Sequence, residues 1–187
     1  MPDNANITPE LLRQLLRYEP DTGMLFWLER PRSMFSSDNV FKMWNAKFSG
    51  AEALSYKDPT GYRRGAVFNK SVKAHRVAWM ILNGEIPTKI EIDHINGVRD
   101  DNRIVNLRMA TSADNKANCA RRSDNTSGAR GVHWCKQQQK WHAEIMFSVG
   151  KRRHIGFFDD ISEAKNAYAL ASKMYHGEFS IHLRPVQ

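Results

Sequence analysis

Asp93, His94 and Asn115 are of the types that metal-assisted phosphodiester hydrolysis requires. A carboxylate from Asp93 and an amide oxygen from Asn115 are hard ligands, suited to Mg²⁺ with waters completing the shell. Such an ion stabilises charge on the phosphate and on the leaving oxygen. The imidazole of His94 titrates near neutrality and is able to take a proton from an attacking water. Metal and base would thus divide the labour. An Asp-His pair alone is a common surface turn, but here Asn96-Gly97, Asn106-Leu-Arg and Asn115 follow in one stretch. A calcium loop starting at Asp93 fails on inspection: Ile95 and Val98 stand where an oxygen ligand and glycine are needed.

The elements around these residues are short. Ile90 and Ile92 alternate with polar neighbours, which predicts a strand ending at Asp93 and His94. A loop rich in Asn, Asp and Arg follows, then a second strand over Leu107 to Ala110. Thr111-Ser-Ala-Asp114 reads as a capping-box variant, placing Asn115 in the first turn of a helix. Strand, loop, strand and helix would gather Asp93, His94 and Asn115 at one locus. His75, upstream at a strand-to-helix junction, reads as a buried structural histidine, and Asn118 as a solvated or capping residue.

This stretch resembles the HNH nuclease motif, the ββα-metal fold of many phage and homing endonucleases. His94, preceded by Asp93, falls on the family's first position, Asn106 on its middle one and Asn115 on its third. The resemblance implies that His94 is the general base, that Asp93 and Asn115 hold the metal, and that Asn106 supports the loop orienting the base. Asn at the third position, where many members have His, removes a softer ligand and favours Mg²⁺ or Mn²⁺ over Zn²⁺. His75-Arg-Val-Ala-Trp79 is also similar to the lead-in of such phage proteins.

Ahead of this module, Thr8, Pro9 and the leucines at 11, 12, 15 and 16 predict a capped helix stopped by Pro20-Asp-Thr-Gly23. Met24 to Leu28 predicts a strand, residues 29–55 show no pattern, and Tyr62 to Ala74 predicts a hairpin turning at Asn69-Lys70. Arg76 to Asn83 predicts a helix ended by Gly84. The polar run 120–128 reads as a linker. Beyond it, Gly131–Trp134, Trp141–Phe147 and Arg152–Phe157 predict three strands, and Asp160 caps a helix reaching Gly177, with Trp134 and Trp141 in the core.

Arg130-Gly-Val, Trp141, Ala143-Glu-Ile, Gly156, Phe158-Asp, Glu163-Ala, Ala167-Tyr and Gly177 resemble the plant ethylene-response-factor (Apetala-type) DNA-binding domain. In that family a three-stranded sheet lies in the major groove, backed by a helix. The resemblance puts Arg130, His133, Glu144, Met146, Arg152 and His154 on the reading face. His133, Met146 and His154 depart from the family's residue types, so its target sequence does not carry over. Lys136, Lys140, Lys151 and Arg153 add candidates for phosphate contact.

Composition agrees with a polyanionic partner. The 187 residues carry a net charge of +8 with a pI near 9.7, shared evenly by residues 1–127 and 128–187. Cys119 and Cys135 are the only cysteines, too few for a disulfide scaffold. No apolar run approaches a membrane span, and no signal core opens the chain. The expected class is α+β: residues 1–70 without an assigned role, an HNH module over 71–119, the linker, and an antiparallel sheet with one packed helix over 129–180. The expected function is a Mg²⁺- or Mn²⁺-dependent DNA endonuclease, which one catalytic centre makes a nicking enzyme. It would act on double-stranded DNA in the host cytoplasm as a monomer or weak dimer, with no protein partner implied. Alternatives are a DNA-binding regulator with an inactive HNH module, a zinc-stabilised module built on the histidines and cysteines, and an RNA substrate.

Overall fold

The computed structural model describes residues 6–118, 125, 127–148 and 150–183. The chain divides into two compact units, Met1–His94 with Val98–Met109, and Ile95–Gly97 with Ala110–Gln187. Its elements are helices and several small sheets, the α+β class expected.

The first unit begins with helix α1 (Pro9–Leu15), whose Leu11 amide donates to the Thr8 hydroxyl at 3.3 Å. Leu12, Leu15 and Leu16 are buried. Strand β1 (Leu16–Glu19) follows without a break and pairs antiparallel with β2 (Met24–Trp27). Pro20–Gly23 is therefore the turn of a hairpin and not the stop of the helix. The leucine stripe ends one residue early because Leu16 faces the same core from an extended backbone.

The unpatterned stretch contains α2 (Asp38–Phe48), capped by Ser37, and β3 (Glu52–Ala53), which adds to β2. A second antiparallel sheet holds β4 (Tyr56–Lys57), β5 (Arg63–Val67) and β6 (Lys70–Lys73). Its tight turn falls on Phe68 and Asn69, both at positive φ, one residue before the expected place. Helix α3 (Ala74–Asn83) is closed by Gly84 at φ +87°. It packs Ala74, Val77, Ala78 and Ile81 against Leu12, Leu15, Leu25 and Val67 in one core, which Ile92 and Leu107 join. Those last two come from β7 (Ile90–His94) and β8 (Leu107–Thr111), a two-stranded sheet. The core therefore grips both strands of the candidate site.

The second unit holds α4 (Ser112–Asn118), opened by a reciprocal cap: the Thr111 amide donates to Asp114 Oδ2 at 3.0 Å and the Asp114 amide to Thr111 Oγ1 at 3.2 Å. Strands β9 (Val132–Cys135), β10 (Lys140–Ser148) and β11 (Lys151–Phe158) form an antiparallel sheet with β10 central. Helix α5 (Ile161–His176), capped by Asp160, buries Ala164, Tyr168 and Ala171 against Val132, Ala143 and Ile145. Trp141 packs on this core, but Trp134, on the edge strand, is 42 % exposed and departs from the core position expected. Asn118 is buried and not solvated. Cys119 and most of the 120–128 linker lie outside the described residues.

Gly23 couples the first hairpin to the candidate site. It sits at φ +74°, and a Cβ there would come within 2.6 Å of the Arg103 nitrogen and the Asn102 carbonyl carbon. Gly50, at φ +77°, meets nothing within 4 Å. Urea denaturation of Gly50→Ala should show a loss of about 1 kcal/mol, from backbone strain alone. Gly23→Ala should lose about 2 kcal/mol or more, because the loop backbone must also move.

Candidate active site

Strand β7 carries Asp93 and His94 into the interior, both buried. Asp93 Oδ2 accepts from Arg108 Nε at 3.1 Å and from an Arg108 terminal nitrogen at 3.0 Å. Both side chains are largely withdrawn from solvent, so each keeps the other from being a lone buried charge. Leu107 enters the core on one face of β8, which leaves Arg108 on the other, opposite Asp93.

His94 Nε2 lies 3.1 Å from Asn102 Oδ1. An amide oxygen only accepts, so this contact places the proton on Nε2 and the basic lone pair on Nδ1. Asn102 is 1 % exposed, and its own carbonyl accepts from the Tyr18 hydroxyl at 2.7 Å. Asn106 ends a 3-10 turn (Ile104–Asn106), and its Nδ2 donates to the Asp101 carbonyl at 2.8 Å, the residue before Asn102. Asn106 thus holds the loop that presents Asn102 to the imidazole.

Burial pushes the His94 pKa down, while the Asn102 contact and the carboxylates of Asp93, Asp101 and Asp100 oppose it. His75, on α3, stands edge-on to His94 at 4.9 Å between ring centroids, and Tyr62 lies 5.2 Å from His75. Buried His75 Nδ1 has no hydrogen-bond partner among the described residues. Burial first, and then the charge of His94, depress its pKa to about 3. It is a neutral packing residue, as expected.

Asn115 stands on α4 in the second unit. Among the described residues no three His, Cys, Asp or Glu side chains cluster to hold a metal ion. The Asp93 carboxylate beside a partnered His94 is a hard donor that fits Mg²⁺ or Mn²⁺, ions that keep most of their waters. Sequence reasoning missed Asn102 and the pairing of Arg108. Arg108 was within reach, since it closes Asn106-Leu-Arg, whereas Asn102 lies inside the polar run 99–103 with nothing to single it out.

In the second unit, His133, Glu144, Arg152 and His154 share the sheet face turned away from α5. His142, which motif reasoning passed over, joins them: its Nδ1 lies 3.1 Å from His133 Nε2 and its Nε2 lies 2.7 Å from His154 Nδ1. Residues far apart in sequence thus form one imidazole row across three strands. Arg152 pairs with Glu144 at 2.8 Å and Lys140 with Asp159 at 3.1 Å. Arg153 lies opposite Ile145 and donates to the Tyr175 hydroxyl of α5, so it stands on the helix side of the sheet. Arg130 donates to the carbonyls of Ala117 and Lys116 at 2.9 and 2.6 Å, closing the end of α4. Lys136 lies in the exposed turn between β9 and β10.

Residues 72–117, which contain Asp93, His94, Asn106 and Asn115, match the family model described as HNH endonuclease. The chain is also 30 % identical over 113 residues to Protein 3.8 of Escherichia phage T7, covering 60 % of this chain and 92 % of that protein. It belongs to the same family as that phage protein, with an HNH endonuclease domain that makes it a nuclease at family level. No solved structure matches it. No helix among the described residues is long and apolar enough to cross a membrane.

The buried His75 gives a pH signature. Its folded pKa lies below the value of 6.5 for a free imidazole, so between pH 6.5 and about 3 the unfolded chain holds the extra proton. Stability contributed by neutral His75 is present above pH 6.5 and is lost as pH falls through that window. His75→Phe should flatten the stability profile there by up to about 1.4 kcal/mol per pH unit, read from denaturation midpoints between pH 4 and 7.

Proposed function

We propose that this chain is a divalent-metal-dependent DNA endonuclease that nicks duplex DNA, with the C-terminal sheet as an appended DNA-binding module. The observation that carries the reading is His94 held by Asn102 at the end of β7, inside the segment that matches the nuclease family. His94 Nδ1 takes a proton from water as the water oxygen attacks phosphorus. One P–O ester bond then breaks, and the leaving oxygen takes a proton from solvent. A bound Mg²⁺ or Mn²⁺ stabilises the charge that builds on the phosphate. Asp93 and Asn115 are the residues that would hold it, and Asn106 and Asn102 keep the imidazole in its working tautomer. A single base per chain cuts one strand per event, so a monomer nicks, whereas a dimer with two such bases could cut both strands.

What supports a DNA-binding module over 129–180 is its three strands, its backing helix and the sequence likeness to the Apetala-type domain. His133, Glu144, Arg152 and His154 share the face offered to the groove, Lys136 and Lys140 supply its rim, and duplex DNA is the partner. Arg130 and Arg153 enter as residues that shape the module, since each already holds a neighbouring element. The host cytoplasm is the compartment this implies.

The Asp93–Arg108 pair supports a second reading, a DNA-binding protein that does not cleave, because a guanidinium already neutralises the carboxylate. A supercoiled plasmid separates the two. With Mg²⁺ or Mn²⁺ the wild type should yield open circles, EDTA should stop it, and His94→Ala should slow it by about 10²- to 10⁴-fold. Asp93→Asn keeps an oxygen for Arg108 to donate to, which Asp93→Ala does not, but both leave its charge uncompensated, so each is read beside a measure of folding. Identical rates for wild type and His94→Ala would leave only the binding protein.

Arg152→Ala should weaken duplex binding in filter or gel assays. It should also reduce the slope of log affinity against log salt by about 1, with nicking at saturating protein retained.

A further inference from the structure

Arg30 is 8 % exposed and follows β2, against α2. Its backbone is clamped from both sides by Asn45: the Arg30 amide donates to Asn45 Oδ1 and Asn45 Nδ2 donates to the Arg30 carbonyl, each at 3.0 Å. The guanidinium lies 3.9 Å from the ring centroid of Trp44, 4.8 Å from Trp27 and 5.1 Å from Phe68. Its Nε is buried without a hydrogen-bond partner among the described residues. Among the described residues no carboxylate pairs with it; Asp38, at the start of α2, pairs with Arg32 instead. Burial pushes its pKa down to about 10, still charged at neutral pH.

Beside it opens a cavity of about 320 Å³, walled by Trp27, Phe35, Trp44, Phe48 and Phe68 as well as Arg30. A buried cation facing aromatic rings recovers part of its lost hydration, but an anion recovers far more. The wall is also more aromatic than an inorganic anion has use for. A ligand that fits both features has a flat π-face and a negative charge close together. Nucleotides of an unpaired strand have both, whereas a duplex hides its base faces in the stack.

We propose that this pocket of the first unit binds one nucleotide of an unpaired DNA strand, its phosphate on Arg30 and its base against the aromatic wall. The site requires no cleavage and no metal, and so it stands or falls apart from the nuclease reading. Strand affinity here would let the chain hold DNA that is frayed, gapped or already nicked, a class of substrate the duplex-facing sheet does not address.

The experiment uses the full chain in EDTA, so that nothing is cut. Anisotropy titrations compare an oligo-dT, an abasic oligomer of equal length and charge, an oligo-rU, and a blunt duplex. Wild type should bind oligo-dT at least tenfold more tightly than the abasic strand, with quenching of tryptophan fluorescence. Arg30→Met should cost oligo-dT binding about tenfold or more and leave duplex binding within twofold. Because it removes a buried charge with no counter-ion and keeps the length of the side chain, Arg30→Met should melt no lower than wild type. Equal affinity of wild type for abasic and dT strands would overturn the proposal without reference to any variant. So would a tighter hold on oligo-rU, or an Arg30→Met protein that binds oligo-dT like wild type.

Discussion

The site depends on one residue that is almost invisible to solvent. Asn102 accepts from Tyr18 with its main chain and meets His94 with its side chain, so it joins the first hairpin to the end of β7. Two separate features then keep Asn102 in place. Gly23 allows the hairpin turn to lie directly on the loop backbone, where any side chain would intrude. Asn106 holds the preceding carbonyl from the other side. A buried polar residue is costly unless its groups are satisfied, and each of these bonds answers that cost while fixing the imidazole. The N-terminal elements, which carry no motif, are thereby part of the site: without Tyr18 and Gly23 the loop has no floor.

The strands and helices that obey a short-range rule were legible in the sequence. Thr8-Pro9, Asp160 and the alternation of Ile90 and Ile92 state local preferences that no distant contact overrides. Helix α2 escaped because it is held by Trp44 packing on Trp27, Phe35 and Phe48 and not by a clean apolar stripe. Leu16 escaped for a related reason: the helical stripe and the strand share a buried face, and periodicity does not say where one backbone becomes the other. Asp93, His94 and Asn106 could be singled out because the motif spacing names them, and the structure buries all three. Asn102, Tyr18 and Arg30 could not be, since their roles exist only through contacts made across many residues of chain.

The C-terminal sheet shows why a charge count is a poor guide to a binding face. Of the basic residues assigned to it, Arg130 closes a helix, Arg153 turns to Tyr175, Arg152 has Glu144 and Lys140 has Asp159. Exposed ion pairs of this kind are weak and exchange readily for a phosphate, whereas the carbonyls held by Arg130 are part of the fold. The three histidines occupy the centre of the face in their place. His142 is held below the ordinary imidazole pKa by partial burial and by its two neighbours, so it contributes shape and hydrogen bonding more than charge at neutral pH.

Two interior arginines of the first unit carry opposite kinds of information. Arg108 has its counter-charge within the fold, and removing either partner would leave a lone buried charge at a cost of about 3–5 kcal/mol. Asp93 is for that reason a structural residue whatever else it does, and loss of activity on its replacement has meaning only beside a measure of folding. Arg30 has aromatic rings and no carboxylate, so its charge contributes nothing to the fold that an apolar chain of equal length would not supply. Among the described residues no carboxylate compensates this cation, which is held in the interior against its own desolvation. On the proposal above, the phosphate of a bound strand takes that part.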